Sequence, residues 1–308
     1  MATMQVLTGG FLTTIQDQGR EKCQQLGLAE AGALDKHAFF WANRILQNHP
    51  ETPALEILVG NSSFLFDAPS RIAITGAEME AKINGVNIPN WSSIAVYPGD
   101  KLSFGIMKTG LRSYLSLAGG FSTSQFFGSS STVIREVTGG NDGKKLAAGD
   151  RLHYKSPATA APYRLPKKWI PDYQEELILR FTAGYHFAEF QPESIKEFLS
   201  KVYTVSNDAD RMGYRLNGTP LLRTGNNILS TGVPCGAIQI PSAGEPIILL
   251  NDRQCTGGYP IVGVICQRDI FRLAQRKPGD KVRFQLAEVG LLQKESATFY
   301  DFFYHGQI

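Results

Sequence analysis

Cysteine is scarce and poorly placed for chemistry. Cys23, Cys235, Cys255 and Cys266 form no C-x-x-C pair, and reduced thiols in a cytoplasm are expected. Histidine is equally thin. His37, His49, His153, His186 and His305 lie scattered without ligand spacing, so no metal site is expected. The formal net charge is only +3 over 308 residues, with no dense basic run. That balance argues against nucleic acid as a partner. Long apolar runs are missing too: Ile247–Leu250 falls far short of the ~20 residues of a membrane span. The N-terminal MATMQVLTGGFLTTIQDQGR lacks the basic start and apolar core of a signal peptide. There is no G-x-G-x-x-G, no G-x-S-x-G and no phosphate loop; Gly139–Lys145 approaches the last, but Leu146 follows the lysines.

Hydrophobic residues make up 43% and charged residues 19%, a globular balance. The length suits two domains of ~150 residues. Short runs rich in branched and aromatic residues dominate: Leu55–Val59, Phe64–Phe66, Arg71–Thr75, Ile94–Tyr97, Lys101–Phe104, Arg112–Leu117, Leu177–Phe181, Lys201–Val205, Pro246–Leu250, Ile261–Ile265 and Lys281–Leu286. Asn84-Gly85 between two such runs predicts a tight hairpin. Helices are few. Asp35 caps one that buries Ala38, Phe39, Ala42, Ile45 and Leu46; Pro192 opens a second; Asp269 caps a third. Tyr154–Asp172 is rich in Pro, Ala and Ser and reads as the linker, giving domains 1–160 and 161–308. Gly139–Gly143 reads as a mobile loop tip.

Three patterns occur twice in the same order. Asp17-Gln18-Gly19-Arg20 is echoed by Asp208–Arg211, Gly27–Asp35 by Gly232–Gln239, and Pro98-Gly99-Asp100-Lys101 by Pro278-Gly279-Asp280-Lys281. The shared order points to two similar β domains from an internal duplication. Ala148-Gly149-Asp150-Arg151 is a third copy of the last pattern, so the Gly-Asp turn alone carries little weight.

The densest polar stretch is Asn251-Asp252-Arg253-Gln254-Cys255-Thr256-Gly257-Gly258-Tyr259-Pro260, at the end of an apolar strand. Rigid strands often deliver functional side chains to such loops. Asp252 suits acid–base work, and Arg253 a bidentate grip on a carboxylate or phosphate. Gln254, Thr256 and Tyr259 suit binding of a polar ligand. A structural Asp–Arg pair bracing a turn is the competing reading. Asn207–Leu216 carries two acids and two arginines, Arg211 among them, and reads as an oxyanion site or a salt-bridged loop. Asp17 and Arg20 are the matching pair in the first half. Ser129, Ser130, Ser131 and Thr132 offer hydroxyls and backbone N–H groups suited to a phosphate, unless they form an ordinary loop. Arg112 opens a buried strand and needs a ligand or a carboxylate as partner. Cys255 has no histidine near in sequence to activate it. Together these residues suit a small anionic substrate.

The same residues carry a resemblance. Thr14–Arg20, Ala31–Asp35, Arg112–Gly120, Gly128–Thr132, Asp210–Leu216 and Asp252–Pro260, in that order, resemble the KipA family. That family includes the C subunit of 5-oxoprolinase, the second subunit of allophanate hydrolase and part of the carboxyltransferase region of urea carboxylase. The resemblance runs from about Gln5 to about Leu286, with Cys255 where a threonine is more usual. It implies two cyclophilin-like β-barrel domains. It implies ATP-dependent opening of 5-oxoproline to glutamate by a multi-subunit bacterial enzyme in the cytoplasm, with ATP, and magnesium if the nucleotide carries it, bound here or shared with partners. Those partners are a KipI-like subunit (the B subunit of 5-oxoprolinase) and the lactam-opening A subunit. Arginines would neutralise the phosphate and the substrate carboxylate. Two alternatives stand beside this. One is a biotin-dependent carboxyltransferase domain acting on urea or a related amide. The other is a non-enzymatic antagonist of a kinase inhibitor.

Overall fold

The computed structural model describes residues 1–156, 160–225 and 228–306. Two compact units emerge: Met1–Glu21 with Ala31–Gln174, and Lys22–Glu30 with Glu175–Ile308. The boundary therefore lies between Gln174 and Glu175, beyond the expected break at 160/161. The Pro-rich stretch is tied into the first unit by hydrogen bonds. Ser93 N–H donates to the Tyr163 carbonyl at 2.8 Å, and Leu165 N–H to that of Trp91 at 2.9 Å. The Tyr173 hydroxyl donates to Asp35 Oδ2 at 3.1 Å. Residues 157–159 of the expected linker lie outside the described residues.

Both units are mainly β. In the first, twelve strands form two sheets around one core. The seven-stranded sheet runs Phe121–Ser122, Arg151–Tyr154, Ala2–Gly9, Ser62–Phe66, Lys101–Ser103, Lys82–Ile83, Val86–Asn87; the five-stranded sheet runs Leu12–Gln16, Ala54–Leu58, Thr109–Leu117, Ser70–Glu78, Ser92–Val96. Met4, Val6, Phe64, Phe66 and Leu102 from one sheet meet Ile57, Ile72, Ile74, Leu115 and Leu117 from the other, all 0–1% exposed. The Asn84-Gly85 turn is as expected, with φ of 51° and 84°, both left-handed as a type I′ turn demands. The helix Lys36–Ile45 is capped by Asp35, whose Oδ1 accepts the Ala38 N–H at 3.0 Å.

The second unit contains a closed seven-stranded barrel: Leu177–Ala183, Ile261–Ile265, Ala237–Gln239, Ile247–Leu249, Gly213–Asn217, Tyr203–Ala209, Lys281–Leu286, the last pairing parallel with the first. Phe181, Phe198, Tyr203 and Phe284 fill it, with the Phe198 and Phe284 rings stacked at 4.2 Å. Helices Pro192–Ser200 and Gln267–Leu273 follow their predicted positions. Cys266, not Asp269, is the cap residue of the latter; Asp269 instead receives Arg180 through two guanidinium hydrogen bonds of 2.9 Å. A fourth helix, Val289–Tyr304, is the longest and has no counterpart in the sequence reading.

The repeated Gly-Asp pattern is one turn built three times. Asp100, Asp280 and Asp150 each accept, through Oδ2, the N–H three residues earlier, at 2.8, 3.0 and 2.8 Å. Gly99, Gly279 and Gly149 sit at φ 88°, 91° and 97°, which only glycine adopts without strain. Their N–H groups donate to Phe66, Val205 and Val6 of a neighbouring strand or turn. The Gly27–Asp35 pattern behaves differently, because residues up to Glu30 belong to the second unit and those from Ala31 to the first.

Candidate functional site

The second unit carries a cleft of about 540 Å³. Its walls come from Asn207–Asp210 at the end of one strand, from Gly213 and Arg215 on the next, and from the 253–259 loop. Val233, Ile247, Leu249 and Met212 supply apolar surface. Four of the residues singled out in sequence, Arg253, Gln254, Thr256 and Tyr259, line this cleft together.

Arg253 is 3% exposed, yet its guanidinium is divided between two jobs. Nε donates to the Val233 carbonyl at 2.9 Å. Nη1 donates to Glu30 Oε2 at 2.9 Å and to the Leu250 carbonyl at 3.3 Å. Glu30 is held in turn by Gln24, whose Nε2 donates to Oε1 at 2.7 Å. Among the described residues Nη2 takes no acceptor, and Arg253 lines the cleft. Arg253 thus puts a fixed cation in the cleft wall with one N–H edge not taken by protein. Such an edge suits a carboxylate or carbonyl oxygen.

Arg211 and Asp252 do not line this cleft. They pair with each other, Nε to Oδ2 at 2.9 Å and Nη2 to Oδ1 at 3.0 Å, both residues nearly buried. Their role is to brace the cleft wall, as a structural Asp–Arg pair does. Asp210 does the same locally: Oδ1 accepts the N–H groups of Met212 and Gly213 at 2.8 and 3.1 Å. Cys255 is half-buried, and its thiol donates to the Leu28 carbonyl at 3.3 Å.

The residues proposed in the first unit gather elsewhere. Ser129–Thr132 is indeed a nest of donors, but its anion is internal. Asp17 Oδ1 accepts the hydroxyls of Ser129 and Ser131 at 2.6 and 2.5 Å, and Oδ2 accepts the Ser130 N–H at 2.5 Å. Arg20 Nη2 donates to the Ser131 carbonyl at 2.6 Å, and Nε to that of Phe126 at 3.2 Å. All four loop residues are at most 1% exposed. A nucleotide phosphate does not fit there, because a carboxylate already uses the donors and solvent does not reach them. The expected mobile loop at Gly139–Gly143 is packed against the same nest; a Cβ on Gly139 would lie 1.9 Å from the Ser131 carbonyl oxygen. Arg112 finds a carboxylate, Glu56 Oε1, at 3.6 Å, and both are buried. Glu56 Oε2 also accepts the Tyr114 hydroxyl at 2.7 Å and the Leu34 N–H at 3.0 Å. Arg112, Asp17 and Arg20 therefore hold the first unit's interior. That unit has its own cleft of about 390 Å³, lined by Glu78, Glu80, Trp91, Lys108, Asp172 and Tyr173.

Asp208 and Arg215, from the stretch read as an oxyanion site, also line the cleft, whereas sequence reasoning missed Gln239. Gln239 lines the cleft and is 6% exposed. Its one signal was a polar residue closing the apolar run Ala237-Ile238. Among the described residues, no group of three or more His, Cys, Asp or Glu side chains is arranged to hold a metal ion. None of their helices is long and apolar enough to cross a membrane.

Comparison with known proteins fixes the family. A family model described as carboxyltransferase domain, subdomain A and B, matches residues 26–286. The chain is 34% identical over 283 residues to the C subunit of 5-oxoprolinase from Escherichia coli, covering 91% of this chain and 90% of that protein. It is 31% identical to urea amidolyase of Saccharomyces cerevisiae over 301 residues, covering 91% of this chain but 16% of that protein. The solved urea amidolyase of K. lactis superposes with a TM-score of 0.92 at 27% identity, over 99% of this chain and 20% of that one. The relatives are subunits or segments of enzymes. With a family model spanning most of its length and such relatives on either side, the chain belongs to the family of carboxyltransferase domains, subdomain A and B.

Proposed function

We propose that the chain is the C subunit of an ATP-dependent 5-oxoprolinase, opening 5-oxoproline to L-glutamate in a bacterial cytoplasm. It works with a KipI-like partner, the B subunit, and with the lactam-opening A subunit. The observation that carries this reading is Arg253, a cleft-lining cation fixed through Nε and Nη1, whose Nη2 edge takes no acceptor among the described residues. That edge receives the substrate carboxylate, with Gln254, Thr256 and Tyr259 around it. The likeness to the Escherichia coli protein supports it. ATP does not fit Ser129–Thr132, so the nucleotide belongs to the partner subunits. The test is glutamate release from 5-oxoproline and ATP, by this chain alone and with its partners. Activity is expected only in the assembly. Turnover by the purified chain alone, or none by the assembly, overturns the reading.

A second reading, carboxyl transfer from a biotinyl group to urea or a related amide, is favoured by the close superposition on the K. lactis urea amidolyase. Biotin would ride on another protein, since the one Met-Lys dipeptide places Lys108 Nζ 2.6 Å from Glu80. Bicarbonate-dependent, avidin-sensitive turnover would mark this chemistry.

A further inference from the structure

Gln239 lies on the barrel strand Ala237–Gln239 and lines the cleft beside Arg253. It is more than nine-tenths buried. Its Nε2 is out of reach of solvent and finds no hydrogen-bond partner among the described residues. Buried amide groups are almost always paired, so one left unpaired in a cleft wall calls for a partner, and a ligand in the cleft can supply it. The surroundings support this. A Cβ on Gly257 would lie 2.6 Å from Nε2, so the glycine leaves the room in which the amide sits. The terminal torsion of a glutamine is broad, so either end of the amide turns to the cleft at little cost.

A carboxamide offers one donor and one acceptor side by side. Their complement is a cis-amide edge, H–N–C=O, which an open-chain secondary amide shows only at high cost but a five-membered ring must show. We propose that Gln239 is a specificity-determining residue that pairs with the cis-amide edge of a five-membered ring, while Arg253 Nη2 holds that ligand's carboxylate or other oxygen. The proposal rests on the 5-oxoprolinase reading and deepens it. The same edge occurs in lactam acids and in cyclic ureas, and a lactone, with a ring oxygen in place of N–H, lacks the donor.

The test compares wild type with Gln239→Met, which keeps the volume and removes both ends of the amide. In the assembled enzyme, the variant is expected to raise the KM for 5-oxoproline roughly 10- to 100-fold, the worth of hydrogen bonds in a buried site, and to leave the KM for ATP unmoved. Wild type should bind 5-oxoproline more tightly than 5-oxotetrahydrofuran-2-carboxylate, its lactone counterpart, and the variant should lose that preference. Should Gln239→Met fail to fold, Gly257→Ala displaces the amide from the other side and is read the same way. An unchanged KM, or a lactam preference that survives, overturns the proposal. If the wild-type assembly does not turn over 5-oxoproline at all, the functional reading fails separately. Calorimetric titration with 2-imidazolidinone then decides: binding by wild type that the variant loses keeps the proposal for a cyclic urea, and equal or absent binding ends it.

Discussion

Arg211 and Asp252 are joined twice, side chain to side chain at 2.9 and 3.0 Å and backbone to backbone where Asp252 N–H donates to the Arg211 carbonyl at 2.9 Å. The pair fastens the turn after Tyr203–Ala209 to the turn after Ile247–Leu249, and both turns edge the cleft. Removing one partner breaks a buried, doubly hydrogen-bonded ion pair. Arg211→Ala or Asp252→Ala is therefore expected to cost about 3–5 kcal/mol. Replacing both with apolar residues of similar volume, as in Arg211→Met with Asp252→Leu, should recover much of that loss. Urea denaturation checks both. A single substitution that lowers turnover while stability stays at the wild-type level would give Asp252 a chemical role instead.

Arg253 is predicted to affect stability and binding together. Read from sequence, Arg253→Lys should impair activity much more than stability, since lysine lacks the planar fork. The structure adds that Nε and Nη1 hold Val233, Leu250 and Glu30. Lysine has one nitrogen for all of them, so about 1–3 kcal/mol of stability should go with the ligand contact. Glu30→Gln separates the two effects. It keeps a hydrogen-bond acceptor for Nη1 and leaves Nη2 free for the cleft, so it should reduce stability by under ~1 kcal/mol with a smaller rise in KM than Arg253→Lys. Equal losses in the two variants would mean that Nη2 does not meet the substrate.

How much of this was legible in the sequence differs element by element. Strands such as Lys281–Leu286 announce themselves, because a Pro-Gly-Asp turn precedes branched residues in alternation. The helix Val289–Tyr304 does not: its first turn holds Gly290, its N-terminus has no side-chain cap, and its last turns are aromatic. The Arg253 loop was legible as a polar run after an apolar strand. The nest at Ser129–Ser131 was legible as a nest, but its anion, Asp17, lies 112 residues from Ser129 in the chain. No local pattern tells a distant carboxylate from a phosphate. Gln239 was not legible, because a lone glutamine in a strand becomes informative only once its neighbours fail to pair with it.

The Asp17 nest yields a prediction against the nucleotide reading. Asp17→Ala strips the acceptor from four donors, the hydroxyls of Ser129 and Ser131 and the N–H groups of Ser130 and Gly19. Each buried donor left unpaired costs about 1–3 kcal/mol, so the first unit should unfold or be severely destabilised. Ser129→Ala removes a single hydroxyl and should cost about 1 kcal/mol, while the KM for ATP in the assembled enzyme stays unchanged. A tenfold rise in that KM from Ser129→Ala, with stability intact, would restore the phosphate role to this loop.

The buried tyrosines set the alkaline limit. Burial, and then the nearby carboxylates, push the Tyr114 and Tyr173 hydroxyls well above their ordinary range, Glu56 and Asp35 acting on the first and Asp35 on the second. The native state therefore keeps protons that unfolded tyrosines release near pH ~10. The sign follows: this contribution to stability is intact below about pH 10 and declines as the pH climbs toward the raised native values. Each such group adds a slope of up to about 1.4 kcal/mol per pH unit in that window. Tyr173→Phe removes one of the two. It forfeits the hydrogen bond to Asp35, about 1 kcal/mol at neutral pH, but should flatten the decline above pH ~10. Tyr114→Phe would lose more at neutral pH, since its hydroxyl both donates to Glu56 and accepts the Asp35 N–H at 2.8 Å. Urea midpoints of the three proteins between about pH 7 and 11 check this: parallel curves for wild type and Tyr173→Phe would show that Tyr173 titrates normally and that the alkaline limit lies elsewhere.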